Sequence, residues 1–422
     1  MLFRVKNLGL IDEAEIKLDG ITVITGENNV GKSTIGKMLY CVNNVFLRDS
    51  VEEMKIHRIE RVIINSLSYT SEGPIGIARS VIDELVLESN FVPFLVKSWK
   101  QEHSLRNFLE EHLLSRLDTP YDGSNEYFNS LENKISEILQ MDNQDIISGL
   151  FKIAIGTNFS GTIHNVYGKN EVTEIELKLN KLDQGISITL TDNVIINNPD
   201  PIAFEEAIYI ENPHIMRDGE KRANESNFFL TFDSRQRLVK LIPDDSQVDF
   251  WEKEEMALEI KNTLEKISLQ APGKLVKKNA FSNKLEYEEG KHRFDLINVS
   301  SGVKTFAILK NLLVNGKLKR NGMLILDEPE IHLHPEWQLV FAEILVLLQK
   351  QFNLKIVVNT HSVYFLMAIE DYSKMHEVSE NCNYYLVERK GNHSSCRDCT
   401  DVLNEIYQHF ADPMYKLHNE VR

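Results

Sequence analysis

The chain has 422 residues, 42% of them hydrophobic, which is enough to bury one or two sizeable cores, and its hydropathy shows no apolar run approaching membrane thickness. A formal net charge of −16 argues against a surface coated in non-specific nucleic-acid contacts, although a local basic groove can sit on an acidic body. The four cysteines are too few and too scattered for a disulfide framework, and no basic, apolar leader opens the chain, so a cytoplasmic protein without a membrane partner is expected.

Alternation in Leu2-Phe3-Arg4-Val5-Lys6 and Ala14-Glu15-Ile16-Lys17-Leu18 predicts paired strands that lead into the apolar run Ile21-Thr22-Val23-Ile24. Gly26-Glu27-Asn28-Asn29-Val30-Gly31-Lys32-Ser33 follows and matches G-x-x-x-x-G-K-[ST], with Thr34-Ile35-Gly36-Lys37-Met38-Leu39 starting a helix behind it. In that strand, loop and helix context Gly26 and Gly31 let backbone N–H groups around Asn28, Asn29 and Thr34 turn onto phosphates. Lys32 reaches the β and γ oxygens, and Ser33 offers a hydroxyl to Mg2+.

From about Tyr40 to Leu150 the pattern is helical, as in Val62, Ile63 and Leu67 and again in Phe108, Leu109, His112 and Leu113, and reads as an insertion into a minimal nucleotide fold. Breaks are expected at Ser71-Glu72-Gly73-Pro74 and Asp118-Thr119-Pro120. Val172–Asn180 and Gly185–Asp192 alternate and predict an antiparallel sheet with one wet face. A further helical stretch is expected over about Asn224–Lys266, then two strands. The division that follows is an N-terminal ATPase lobe of 1–40 and 151–212, the insertion 41–150, a helical lid segment 213–270, a C-terminal ATPase lobe 271–390 and a tail 391–422.

Asn298-Val299-Ser300-Ser301-Gly302-Val303-Lys304 precedes a helix carrying Phe306, Leu309, Leu312 and Leu313, so Ser300, Ser301 and Gly302 stand at a helix N-terminus, where a second anion cradle can form. Met323-Leu324-Ile325-Leu326-Asp327-Glu328-Pro329 is a buried strand ending in two carboxylates: Asp327 suits Mg2+ and Glu328 suits the general base that polarises water. Next come Glu330-Ile331-His332-Leu333-His334-Pro335-Glu336-Trp337-Gln338 and a helix with Val340, Phe341, Ile344, Leu345 and Leu348. The strand Lys355-Ile356-Val357-Val358-Asn359-Thr360 then delivers His361-Ser362. His332 and His334 could be drawn as a metal pair, and Cys382, His393, Cys396 and Cys399 as a zinc site. The first has no apparent third ligand, and the spacing of the second lacks a proper second pair. Lys277, Lys278, Lys284, Lys291 and Arg293, with Lys317, Lys319 and Arg320, are the candidates for a basic groove.

With these motifs together, the chain resembles ABC-type ATPases, and N-V-S-S-G, L-D-E-P-E-I-H-L-H-P-E-W-Q and N-T-H-S are similar to those of prokaryotic ATPases related to SMC heads and OLD-type proteins, many of which serve anti-phage systems such as Septu and PARIS. The resemblance covers the phosphate loop and about Gly273–Ile369. It implies an α/β head with a mixed sheet, an antiparallel β-lobe and helical insertions but no long coiled coil. It also implies ATP hydrolysis with Mg2+, and a homodimer or larger homo-oligomer in which Ser300, Ser301 and Gly302 close on the nucleotide of the partner. His361 becomes the γ-phosphate sensor, and His332 and His334 part of a dimer-contacting loop. The Q-loop glutamine of the family has no counterpart in Ile208-Tyr209-Ile210-Glu211-Asn212-Pro213. An anti-phage regulator with a separate effector such as a nuclease is the first biological reading. A RecF-like or SMC-like clamp on DNA is the second, and a transporter ATPase fits the motifs poorly. After His361 too little chain is expected to remain for a TOPRIM nuclease.

Overall fold

The computed structural model describes residues 1–47, 49–68, 91–99, 105–112, 126–159, 163–164, 172–179, 185–191, 193–197, 205–211, 232–242, 260–279 and 284–420. The chain divides into two compact units, Met1–Leu47 with Phe151–Asn227 and Thr231–Arg422 forming one, and Arg48–Leu150 with Phe228–Leu230 the other.

The first unit opens with β1 (Leu2–Leu8) and β2 (Ile11–Lys17), an antiparallel hairpin turning at Gly9 and burying Phe3, Val5 and Leu8 with Ile11, Ala14 and Ile16. β3 (Ile21–Gly26) is buried at every residue and runs through the phosphate loop into α1 (Lys32–Val45). In the second unit lie α2 (Ser50–Ser68), α3 (Phe91–Ser98), α4 (Leu105–His112) and α5 (Glu126–Gln140), with a core of their own that includes Ile59, Ile63, Val92, Leu109 and Ile135. The expected breaks at 71–74 and 118–120, and Leu113, fall outside the described residues. Along α6 (Asn143–Phe159) the chain passes back into the first unit.

β4 (Thr173–Lys178), β5 (Gly185–Leu190) and β6 (Val194–Asn197) form an antiparallel ladder on β1, with Ile175, Leu177, Ile186 and Ile188 facing inward as the alternation requires. β7 (Ala207–Ile210) is held at the opposite edge, where Asn44 of α1 donates to the Ala207 carbonyl at 2.9 Å and accepts from its N–H at 2.8 Å. Of the helical stretch expected over 224–266, α7 (Ser234–Leu241) and the start of α8 (Lys261–Gln270) are helical, while 224–231 and 243–259 fall outside the described residues.

Two strands were expected before the second motif; the described residues there form three. β8 (Lys274–Lys277), β9 (Leu285–Glu289) and β10 (His292–Asp295) make a separate antiparallel meander, the last turn passing through Gly290 at φ +60°. α9 (Ser301–Val314), β11 (Met323–Asp327), α10 (Pro335–Phe352), β12 (Lys355–Asn359), α11 (Val363–Met375), β13 (Cys382–Lys390), β14 (His393–Asp398) and α12 (Asn404–Glu420) complete the chain.

The large sheet has the order β6-β5-β4-β1-β2-β14-β13-β3-β12-β11-β7. Its parallel half, β13-β3-β12-β11-β7, is made of strands that are mostly apolar and buried over most of their length, apart from the last three residues of β13, as is required when both faces of a strand are covered. β14 pairs antiparallel with β13 and parallel with β2, and so carries the sheet across to the antiparallel half. The residues read as a tail from 391 on thus include a strand in the middle of the sheet. This α/β architecture is the expected one, and among the described residues no long coiled coil is present. No helix among them is long and apolar enough to cross a membrane.

Candidate functional site

Parallel registry sets the site. Asp327 at the end of β11 stands opposite Asn359 at the end of β12, and Asn359 stands opposite Ile24, two residues before the phosphate loop. Three carboxyl ends therefore meet along one edge, where an open parallel sheet presents its chemistry.

The phosphate loop is shaped by left-handed backbone at Gly26 (φ +142°), Asn29 (φ +59°) and Gly31 (φ +103°). A Cβ on Gly26 would lie 2.2 Å from the Val387 carbonyl oxygen, so both its conformation and its space demand glycine. Lys32 is 5% exposed, and its Nζ donates to the loop's own carbonyls, Gly26 O at 2.9 Å and Glu27 O at 2.7 Å. Burial lowers the Lys32 ammonium, against the pull of Glu328 and Asp327. A cleft of about 370 Å³ opens above this loop, lined by Asn29, Gly31, Lys32, Ser33, Thr34 and Glu328 and closed by Gly9, Leu10 and His164. Gly26 and Asn28 do not line it: Gly26 is buried at the end of β3, and Asn28 is exposed.

Asp327 is 7% exposed and takes three donors: Ser33 Oγ at 3.0 Å and Asn359 Nδ2 at 2.9 Å on Oδ1, and Tyr209 OH at 3.1 Å on Oδ2. Burial still raises its carboxyl above the ordinary range, although all three hydrogen bonds work to lower it. Ser33 and Asp327 are thus a hydroxyl and a carboxylate already touching beside the lysine, a donor set that suits a hard divalent cation on nucleotide oxygens. Mg2+ held there by Ser33 and Asp327 would supply positive charge against the phosphates. Glu328 has left-handed backbone (φ +50°) and donates its N–H to the Asn359 carbonyl at 2.8 Å, which leaves its side chain beside the cleft. His361 Nδ1 lies 3.5 Å from Glu328 Oε1 and 3.7 Å from Glu330 Oε1.

Ser300 caps α9 and accepts from the Val303 N–H at 3.3 Å, while Ser301 and Gly302 form the first turn. None of the three lines the cleft of its own chain. A Cβ on Gly302 would meet the Trp337 ring at 2.9 Å and Leu333 at 3.2 Å, and Trp337 in turn packs edge-on to Phe306 at 5.7 Å. The glycine therefore serves helix packing, whatever else approaches it.

Beyond Glu328 the chain turns back: Glu330 is 4% exposed and directed inward, where its Oε1 accepts from Thr360 Oγ1 and from the His361 N–H. Desolvation raises its carboxyl, opposed by those bonds. His334 caps α10 through Nδ1, and exposed His332 occupies left-handed backbone at φ +68°. Among the described residues no cluster of three metal-ligating side chains occurs, around these histidines or around Cys396. Three of the first basic group carry ion pairs, Arg293 with Glu288, Lys278 with Glu286 and Lys284 with Asp295. In the second, Lys319 pairs with Glu205, and Arg320 donates to the Gln351 carbonyl and lies over the Phe352 ring. Where the Q-loop glutamine would stand, Glu211 follows β7 and pairs with Lys37 and Arg235, while Asn212 and Pro213 fall outside the described residues.

Tyr209, Asn359, Glu330 and His164 join the site without having been picked from the sequence. For Asn359 the signal was there, a polar residue closing an apolar strand next to His361. His164 comes from a segment with no pattern at all.

A family model described as AAA ATPase domain matches residues 1–366. Among solved structures the chain is similar to an SmcHead bound to the C-winged helix domain of ScpA (12% identity, 94% of this chain and 96% of that chain covered, TM-score 0.42). It is also similar to the SMC head domain from Thermotoga maritima (11%, 94% and 97%, 0.36) and to the Smc head domain with an extended coiled coil bound to the C-terminal domain of ScpA from Pyrococcus furiosus (11%, 96% and 98%, 0.39). At such identities and TM-scores no property of those proteins passes to this chain. The family match covers most of the sequence and includes the phosphate loop, Asp327, Glu328 and His361, so the chain belongs to the AAA ATPase domain family and is an ATP-hydrolysing enzyme.

Proposed function

We propose that the protein is a nucleotide-gated clamp in which two copies close around two ATP molecules. One observation carries this reading: Lys32, Ser33, Asp327, Glu328 and His361 gather at one sheet edge, whereas Ser300, Ser301 and Gly302 lie outside the cleft of the same chain. A cradle at a helix N-terminus that cannot serve its own nucleotide is free to serve that of a second copy. In this reading Lys32 and the loop N–H groups hold the phosphates, and Ser33 and Asp327 hold Mg2+. Glu328 accepts a proton from the attacking water as its oxygen bonds to the γ-phosphorus and the bond to the β-phosphate oxygen breaks. His361 senses the γ-phosphate, and hydrolysis reopens the pair.

The sensor and regulatory ATPase of an anti-phage system, controlling a separate effector such as a nuclease, is the biological role we favour. The ion pairs of Lys278, Lys284, Arg293 and Lys319 within the basic clusters support it over a RecF-like or SMC-like clamp on DNA. Light scattering of Glu328→Gln with ATP and Mg2+ tests the clamp: an ATP-dependent dimer is expected, and a monomer at every ATP concentration sinks it. Purification of that variant from its native cells tests the role, with an effector protein expected to accompany it. Recovery of DNA in its place, with an affinity that falls steeply with salt, would favour the alternative.

A further inference from the structure

The acidic strand is followed by one carboxylate that the hydrolytic scheme does not use. Glu330 sits two residues beyond Glu328 behind Pro329, 4% exposed, and its Oε1 is held by the hydroxyl of Thr360 and the backbone N–H of His361, the latter at 3.3 Å. Its Oε2 is buried and has no hydrogen-bond partner. Such a group costs free energy unless it serves something else nearby. The other oxygen of this carboxylate faces the imidazole of His361, whose Nδ1 lies 3.7 Å from Oε1 of Glu330 and 3.5 Å from Oε1 of Glu328.

The two carboxylates differ in freedom. Glu328 borders the open cleft, whereas Glu330 is anchored by the β12 end that delivers His361. We propose that Glu330 is a positioning residue for His361: it holds the Nδ1–H side of the ring, so that Nε2 is presented to the cleft and Glu328 is left free to turn to water. A carboxylate behind an imidazole fixes its tautomer and orientation in this way. The inference rests on the hydrolytic role given above to Glu328 and His361.

The test is Glu330→Gln, which keeps shape and the acceptor for Thr360 but removes the charge. Expected is a fall in kcat of about tenfold or more with the KM for ATP nearly unchanged, and the loss of that effect in a His361→Ala background. Nitrogen-15 spectra of the histidine rings should show His361 as the Nδ1–H tautomer in nucleotide-free wild type and displaced from it in Glu330→Gln. Equal losses with and without His361, or an unchanged His361 ring, would overturn the proposal. Should Glu330→Gln not fold, Glu330→Asp keeps the charge and withdraws it by one methylene, with the same expected results. Wild-type protein with the expected ring state but no ATP turnover would support the placement of His361 and overturn the hydrolytic reading alone.

Discussion

Asp327 carries a conflict between its burial and its hydrogen bonds. Three donors pull its carboxyl toward ionisation and burial pulls harder the other way, so the nucleotide-free fold bears a charge it would be more stable without. In chelator, Asp327→Asn should therefore melt a few degrees above wild type while losing Mg2+-dependent turnover. Because the folded carboxyl titrates above its unfolded value, the cost is absent in acid and present at neutral pH. The advantage of the variant should accordingly disappear as pH falls below the ordinary aspartate range. A lower midpoint for Asp327→Asn at neutral pH would mean that the three hydrogen bonds outweigh burial. Lys32→Ala removes charge-assisted contacts of about 1.5–3 kcal/mol each and should weaken ATP binding about 100-fold or more in a nucleotide titration. Cys396 is half-buried, with its thiol pushed by burial up to about 12. Alkylation at neutral pH should be slow and should accelerate about tenfold per pH unit toward that value. Fast labelling at pH 7 would contradict this.

At the scale of elements, α9 shows how one glycine can answer to two demands. The Trp337 ring occupies the space a Gly302 side chain would need, and Phe306, one turn on, meets both Trp337 and Phe341 at right angles. Gly302→Ala should cost about 1–3 kcal/mol in denaturant unfolding, the usual penalty of overpacking. Ser301→Ala, at the half-buried first turn, should leave stability nearly unchanged and remove only ATP-dependent dimerisation. Equal destabilisation by both would reduce the motif to a packing device. Legibility also differed by element. β3, β11 and β12 could be read as buried parallel strands because an apolar run ending in polar chemistry has few other uses. β10 and β14 could not, because His292-Arg293-Phe294-Asp295 and His393–Asp398 lack an apolar run, and only the strands beside them supply their hydrogen bonds.

For the whole molecule, two units with separate cores should unfold separately. Calorimetry is expected to show two transitions, and ATP with Mg2+ at about 100 times Kd should stabilise only the unit bearing the phosphate loop, by about 2.7 kcal/mol. A single transition that moves as one with ATP would refute this.

What the chain alone determined is the set of residues whose chemistry is local: the phosphate loop with Lys32 and Ser33, the Asp327-Glu328 pair, the N-cap at Ser300 and the strand that ends at His361. Each is legible because one short segment contains both the functional group and the backbone geometry that aims it. Tertiary structure alone decided the partners of those groups. Tyr209 reaches Asp327 across 118 positions, Asn359 across 32, and Glu330 turns beneath His361 across 31. Parallel registry between strands distant in sequence brings them together, and nothing in a local pattern records which strand lies next to which.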